Sequence, residues 1–203
     1  MQIYLAVTPA EAREASRTPE WRRRGYSGVL LDFEQSPTPD RLAFAETLAR
    51  RLAPRPVYVP ESYAAASGTV SLVCTAVSGG SFLQYLQGAA AERAGAGKLA
   101  LDVQRLRMDF TLPARSGEGR PLSASEFQAL LDQESPSVFF SQDLCARYFT
   151  YTREGESHFV LFDDADTLQQ KLQTGTRMGF SAAFLMYPEV RDLLPRLFPA
   201  RQT

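Results

Sequence analysis

Asp32 and Glu34 stand two residues apart at the end of the apolar run Tyr26-Ser27-Gly28-Val29-Leu30-Leu31. Side chains alternate along an extended chain, so the two carboxylates point to the same side. Two acids on one face, at the C-terminal end of a buried strand, cost energy unless they are solvated, paired or used. One carboxyl can raise the other's affinity for a proton, which is what a general acid needs. The competing reading puts both residues in a strand-to-helix loop, with one of them as an acid at the helix start. Other nucleophile chemistry has few residues to draw on. His158 is the single histidine, and Glu156-Ser157-His158-Phe159-Val160 alternates like a strand, so His158 reads as a strand or surface residue. Cys74 and Cys145 lie in apolar contexts and read as buried thiols; no cysteine or histidine spacing suggests a metal, and no cofactor is expected.

The elements that must position the acid pair alternate between strand and helix. Ile3 to Thr8 reads as a strand, and Pro9 to Arg24 as a helix with Thr8 as N-cap and Gly25 as its stop. Gly28 to Phe33 is a continuous apolar strand of the kind buried in a parallel sheet. Thr38-Pro39-Asp40 opens a helix whose apolar residues Leu42, Phe44, Ala45, Leu48 and Leu52 follow the helical period, ended by Pro54 and Pro56. Strands at Val57–Pro60, Val70–Val77, Lys98–Val103 and Phe180–Met186 follow, with helices at Phe82–Arg93, Asp164–Met178 and Glu189–Leu197. The β-α-β-α order implies a parallel sheet with helical crossovers. An α+β insertion is expected at about 114–162. It has a helix from Ser123 to Leu131 with Ser123 and Glu126 as a capping box, strands at Val138–Phe140, Ala146–Thr152 and His158–Phe162, and a Glu154-Gly155 hairpin turn.

The 203 residues suit one domain with a small insertion. Lys and Arg total 22 against 23 Asp and Glu, which argues against a nucleic-acid surface. Arg22, Arg23 and Arg24 read as a solvated helix end. No stretch approaches the roughly 20 apolar residues of a membrane span. The N-terminus reads as a strand rather than a secretion signal, so a cytoplasmic chain is expected.

Ser27-Gly28-Val29-Leu30-Leu31-Asp32-Phe33-Glu34 resembles the fourth-strand signature of glycoside hydrolase family 18, Asp-Gly-x-Asp-x-Asp-x-Glu. Gly28, Asp32 and Glu34 match it, while Ser27 and Leu30 replace its first two acids. The likeness runs on along the chain. Val70 to Thr75 resembles the sixth strand and Lys98-Leu99-Ala100-Leu101 the seventh. Arg147-Tyr148-Phe149-Thr150-Tyr151 through Asp163-Asp164-Ala165, Leu168 and Lys171 resembles the closing segment of the spore-cortex and peptidoglycan-acting branch.

The resemblance implies an incomplete TIM-type (β/α) barrel, because a full one needs about 250 residues, and about six β-α units remain. Open edges at Ile3–Val7 and Phe180–Met186 would favour a homodimer, which a monodisperse monomer in solution scattering would refute. In the family the Glu protonates the glycosidic oxygen, and the Asp two residues earlier orients the N-acetyl group that attacks the anomeric carbon. Glu34 and Asp32 match those roles. The family's Tyr-Asp falls at Ala76-Val77, its floor Trp near Met186, and its seventh-strand Gly and Pro at Asp102 and Gln104. Trp21 reads as packing. Tyr58, Glu61, Tyr63, Asp102 and Tyr187 are the candidates to contact substrate in place of the lost groups. The expectation is therefore a degenerate, non-catalytic relative that binds an N-acetylglucosamine-containing glycan or a protein. The alternative is an active hydrolase of chitin or peptidoglycan type. Spore association follows by analogy alone.

Overall fold

Apolar β-branched runs bounded by proline and glycine build the strands that carry the acid pair. The computed structural model describes residues 4–7, 25–93, 95–114 and 119–199. In chain order, β1 is Tyr4–Val7, β2 Gly28–Leu31, β3 Val57–Val59, β4 Val70–Cys74 and β5 Leu99–Val103. Helix α1 is Pro39–Leu52 and α2 is Phe82–Glu92. Then come β6 Arg107–Leu112, β7 Arg120–Pro121, α3 Ala124–Glu134, β8 Phe139–Ser141, β9 Ala146–Arg153 and β10 Glu156–Phe162. Helix α4 Ala165–Met178, β11 Ala183–Leu185, α5 Tyr187–Val190 and α6 Leu194–Leu197 complete the described chain. Six strands form one sheet in the order β1-β2-β3-β4-β5-β11. The β1–β2, β2–β3 and β3–β4 pairs are parallel, as helical crossovers require. This is the curled sheet of an incomplete α/β barrel. The helix expected at Pro9–Arg24, with Trp21, lies outside the described residues.

The described chain divides into two compact units, one running through Val73 with Ala89–Leu101 and Gly179–Ala182, the other holding Cys74–Gly88, Asp102–Met178 and the stretch from Ala183. In the first unit α1 buries Ala45, Leu48, Ala49 and Leu52, one helical stripe, against Val29, Leu31, Val57 and Val59. Thr38 caps α1 by accepting from the Arg41 N–H at 3.3 Å. Each fully buried aliphatic side chain here contributes about 1.5–3 kcal/mol of transfer free energy.

The second unit holds an antiparallel sheet in the order β7-β6-β10-β9-β8. It begins at Arg107, earlier than the expected 114, because Met108, Phe110 and Leu112 alternate with polar residues and pair with β10. Glu154 and Gly155, at φ 55° and 83°, form the left-handed two-residue turn between β9 and β10. Ser123 Oγ accepts from the Glu126 N–H at 3.2 Å, and Glu126 accepts from the Ser123 N–H at 2.8 Å, closing the capping box of α3. Phe127 and Leu130 of α3 pack on Phe149, Val160 and Phe162 of one sheet face. The other face carries a ladder of aromatic rings from β8 to β6.

Several boundaries differ from expectation. β2 stops at Leu31, short of the expected Phe33, so Asp32 and Glu34 lie in the strand-to-helix loop. β4 stops at Cys74, so Ala76 and Val77 lie in the following loop. The strand expected at Phe180–Met186 shortens to Ala183–Leu185. The terminal helix splits into α5 and α6, because Pro195 has no N–H to continue an earlier helix and starts a new one instead.

Candidate functional site

β2 ends at Leu31, and the chain beyond it alternates by burial: Asp32 exposed, Phe33 buried, Glu34 exposed. Burial of Phe33 orients the pair, since its ring packs on Tyr63 with centroids 4.4 Å apart. The Phe33 N–H bonds the Leu31 carbonyl at 3.1 Å, so the chain turns as it leaves the sheet. Among the described residues neither Asp32 nor Glu34 has a hydrogen-bond or ion-pair partner, and both carboxylates face solvent.

Tyr63 is buried, and its hydroxyl donates to the Gln35 carbonyl at 2.8 Å and the Ser36 carbonyl at 3.2 Å. Arg41 of α1 holds the same loop, donating to the Ser36 carbonyl at 2.8 Å and to the Gln35 side chain. Tyr63 therefore acts on the acid pair from behind, by fixing the loop that follows Glu34. Sequence showed that Tyr63 lay near a strand end but not which way its ring faced. Tyr58 is 2% exposed in the middle of β3, whereas Glu61 is exposed in the short 3-10 turn after it.

The remaining candidates belong to the second unit. Asp102, half-buried in β5, accepts from Gln104 Nε2 at 2.8 Å. Burial pushes its carboxyl up; the Gln104 bond opposes this and the charge of Glu189 adds to it. Its environment thus favours the protonated form, the direction useful in an acid catalyst. Tyr187 opens α5 with 60% of its surface exposed, and Met186 before it is 57% exposed.

A further polar cluster lies on the inserted sheet. His158 Nδ1 is 3.1 Å from Asp109 Oδ1, and the Tyr151 hydroxyl donates to Asp109 Oδ2 at 2.9 Å. The Tyr151 and His158 rings stack at 4.5 Å. Burial first, and then the neighbouring Asp109 carboxylate, push the Tyr151 hydroxyl up to about 12. His158 is thus a strand residue, as its alternation implies, satisfied by a buried acid that sequence periodicity did not connect to it. Cys74 and Cys145 are not joined in a disulfide; Cys145 is buried, as expected, while Cys74 is only half-buried, and burial pushes the Cys145 thiol up, away from nucleophilic use. Among the described residues no cluster of acids, cysteines and histidine is arranged to hold a metal. None of their helices is long and apolar enough to cross a membrane.

No protein-family profile matches the chain, and no curated protein sequence matches it. Solved structures do. A chitinase from Chromobacterium violaceum is 18% identical with TM-score 0.61, over 92% of this chain and 69% of that one. The spore cortex-lytic enzyme SleL of Bacillus cereus is 17% identical with TM-score 0.58, over 98% and 60%. A class V chitinase from Nicotiana tobaccum is 11% identical with TM-score 0.57, over 98% and 81%. Identity at this level speaks for the fold. The parallel pairing of the larger sheet, its helical crossovers and these matches agree: the chain has the glycoside hydrolase family 18-like fold of the chitinases, built as an incomplete α/β barrel.

Proposed function

We propose that this protein binds a glycan containing N-acetylglucosamine without cleaving it. One observation carries the reading: Asp32 and Glu34 lack any partner among the described residues, and the positions matching the family's substrate-holding Tyr-Asp and Trp carry Ala76, Val77 and Met186. A substrate-assisted mechanism needs the acetamido group held and the Asp poised against it. Loss of such groups removes transition-state stabilisation of about 3 kcal/mol each. The peptidoglycan-type glycan is favoured by the spore cortex-lytic neighbour. The test is a pair of measurements with chitopentaose, one of binding and one of product release. Binding with no cleavage is expected.

The second reading, an active glycosidase with Glu34 as acid and base and Asp32 as its partner, is favoured by the retained spacing of the two exposed carboxylates. Turnover by clean wild-type protein that vanishes in Glu34→Gln would establish this reading over the first.

A further inference from the structure

One face of the inserted sheet carries an aromatic row that packs at its inner end against Leu106, Leu144 and Ala76. Phe139 of β8 stacks on Tyr148 of β9 at 5.6 Å and 30°. Tyr148 stacks on Phe159 of β10 at 5.1 Å and 28°. Phe159 meets Phe110 of β6 at 6.4 Å. The pairing register puts all four on one face, and Ser141 and Ala146 share it. Burial is graded along the row. Phe110 is buried, Tyr148 and Phe159 are half-buried, and Phe139 is 52% exposed. Cross-strand stacking alone accounts for the inner rings. Phe139, half in water at the end of the row, extends the stack into an exposed aromatic surface.

Beside the row lies a polar cleft of about 530 Å³. Ser141 and Leu144 line it, and Leu144 packs against the same cluster as Tyr148 and Phe159, so platform and cleft are contiguous. The opposite wall is Gly79, Gly80, Ser81 and Gln84 at the start of α2. The walls are tied together, since the Phe82 N–H donates to the Asp143 carbonyl at 2.7 Å. Ser81 and Ser141 each accept one backbone N–H, from Gln84 and Leu144, which leaves their own O–H to donate. The Asp143 carboxylate, also in the lining, has no partner among the described residues. A Cβ added at Gly79 would meet nothing within 4 Å, so the space beside it is open.

Stacked rings beside uncharged donors and a lone carboxylate acceptor suit a neutral polyhydroxyl ligand: sugar C–H faces lie on the rings and hydroxyls reach the cleft. Among the described residues no cation lines the cleft, which argues against phosphate or nucleic acid. We infer that the glycan is held here, with one sugar on Phe139 and the next in the cleft between Ser81 and Asp143. This rests on the glycan-binding reading above but builds the site from residues other than Asp32 and Glu34.

Calorimetric titration with chitopentaose tests the placement, using wild type, Phe139→Ala, Phe139→Trp and Gly79→Leu. Loss of one stacking ring should weaken binding about five- to tenfold, and the tryptophan variant should keep wild-type affinity. Gly79→Leu fills open space at a residue of ordinary φ, so it should abolish binding with an unchanged melting temperature. Equal dissociation constants in all four proteins would overturn this placement and leave glycan binding itself standing. Absence of binding by wild type would overturn both. Capture of a protein partner through Phe139, with no glycan bound, would overturn the ligand class.

Discussion

Lys171 of α4 is fully buried, and its ammonium lies 2.8 Å from Asp163 Oδ2. Asp163 is 1% exposed. Burial pushes its carboxyl up, and the Lys171 charge, the Leu106 N–H at 3.0 Å and the Thr167 hydroxyl at 2.8 Å pull it back. Replacing Lys171 by Met keeps the volume and removes the cation that, among the described residues, bonds this acid. The acid must then stay charged in an apolar site or take up a proton. Protonation is the cheaper course. For a carboxyl of ordinary pKa about 3.9, it costs about 4 kcal/mol at pH 7. That agrees with the roughly 3–5 kcal/mol lost when one partner of a buried pair is removed. For a protein of this length the loss corresponds to about 8–16 °C in melting temperature. The pH dependence identifies the cause. The folded variant binds one proton that the unfolded chain has released at pH 7, so the variant regains stability as pH falls. The gain is about 1.4 kcal/mol per pH unit, leaving about 1.5 kcal/mol of deficit near pH 5. Asp163→Asn in the Lys171→Met background should remove most of the deficit at pH 7 and flatten the profile. Urea unfolding followed by far-ultraviolet circular dichroism from pH 5 to pH 8 measures all three proteins. A Lys171→Met deficit under 1 kcal/mol at pH 7, or one that does not shrink toward pH 5, would refute the reasoning.

Two smaller perturbations probe the supports of the two units. The Ser123 side chain and N–H, with the Arg120 guanidinium, hold the Glu126 carboxyl down from its ordinary 4.5 to about 2. A depressed carboxyl contributes stability above its ordinary value and loses it as pH falls through the folded value, so the α3 cap should weaken between about pH 4.5 and 2. Glu126→Gln should flatten the acid limb of the stability profile in that window, and an unchanged limb would count against the box. Tyr63→Phe removes a hydroxyl that bonds the Gln35 and Ser36 carbonyls but keeps the ring against Phe33. It should cost about 1 kcal/mol and speed amide exchange in the loop after Glu34; equal exchange rates would show that Arg41 alone holds that loop.

Local rules were legible wherever one residue or one period decides the outcome. Thr38 and Pro39 started α1, Ser123 and Glu126 closed their box, and Glu154-Gly155 made the β9–β10 turn. The apolar runs at 28–31, 57–59 and 99–103 became strands of the larger sheet. Asp32 and Glu34 are exposed on either side of the buried Phe33, as an alternating pattern expects, although the strand itself ends at Leu31. Tertiary structure decided what these residues meet. Phe110, Tyr148 and Phe159 are far apart in sequence, and only the register of three antiparallel strands lines up their rings. Asp109 and His158 are 49 positions apart, yet the β6–β10 pairing places them within bonding distance. Tyr58 and Tyr63 are the same residue type near the same strand end, but packing buries both and gives Tyr63 a loop to hold. Pattern and capping act over a few residues and are written in the chain. Burial, register and the partner of a polar group depend on which distant segments close over it, and the folded backbone alone supplies that.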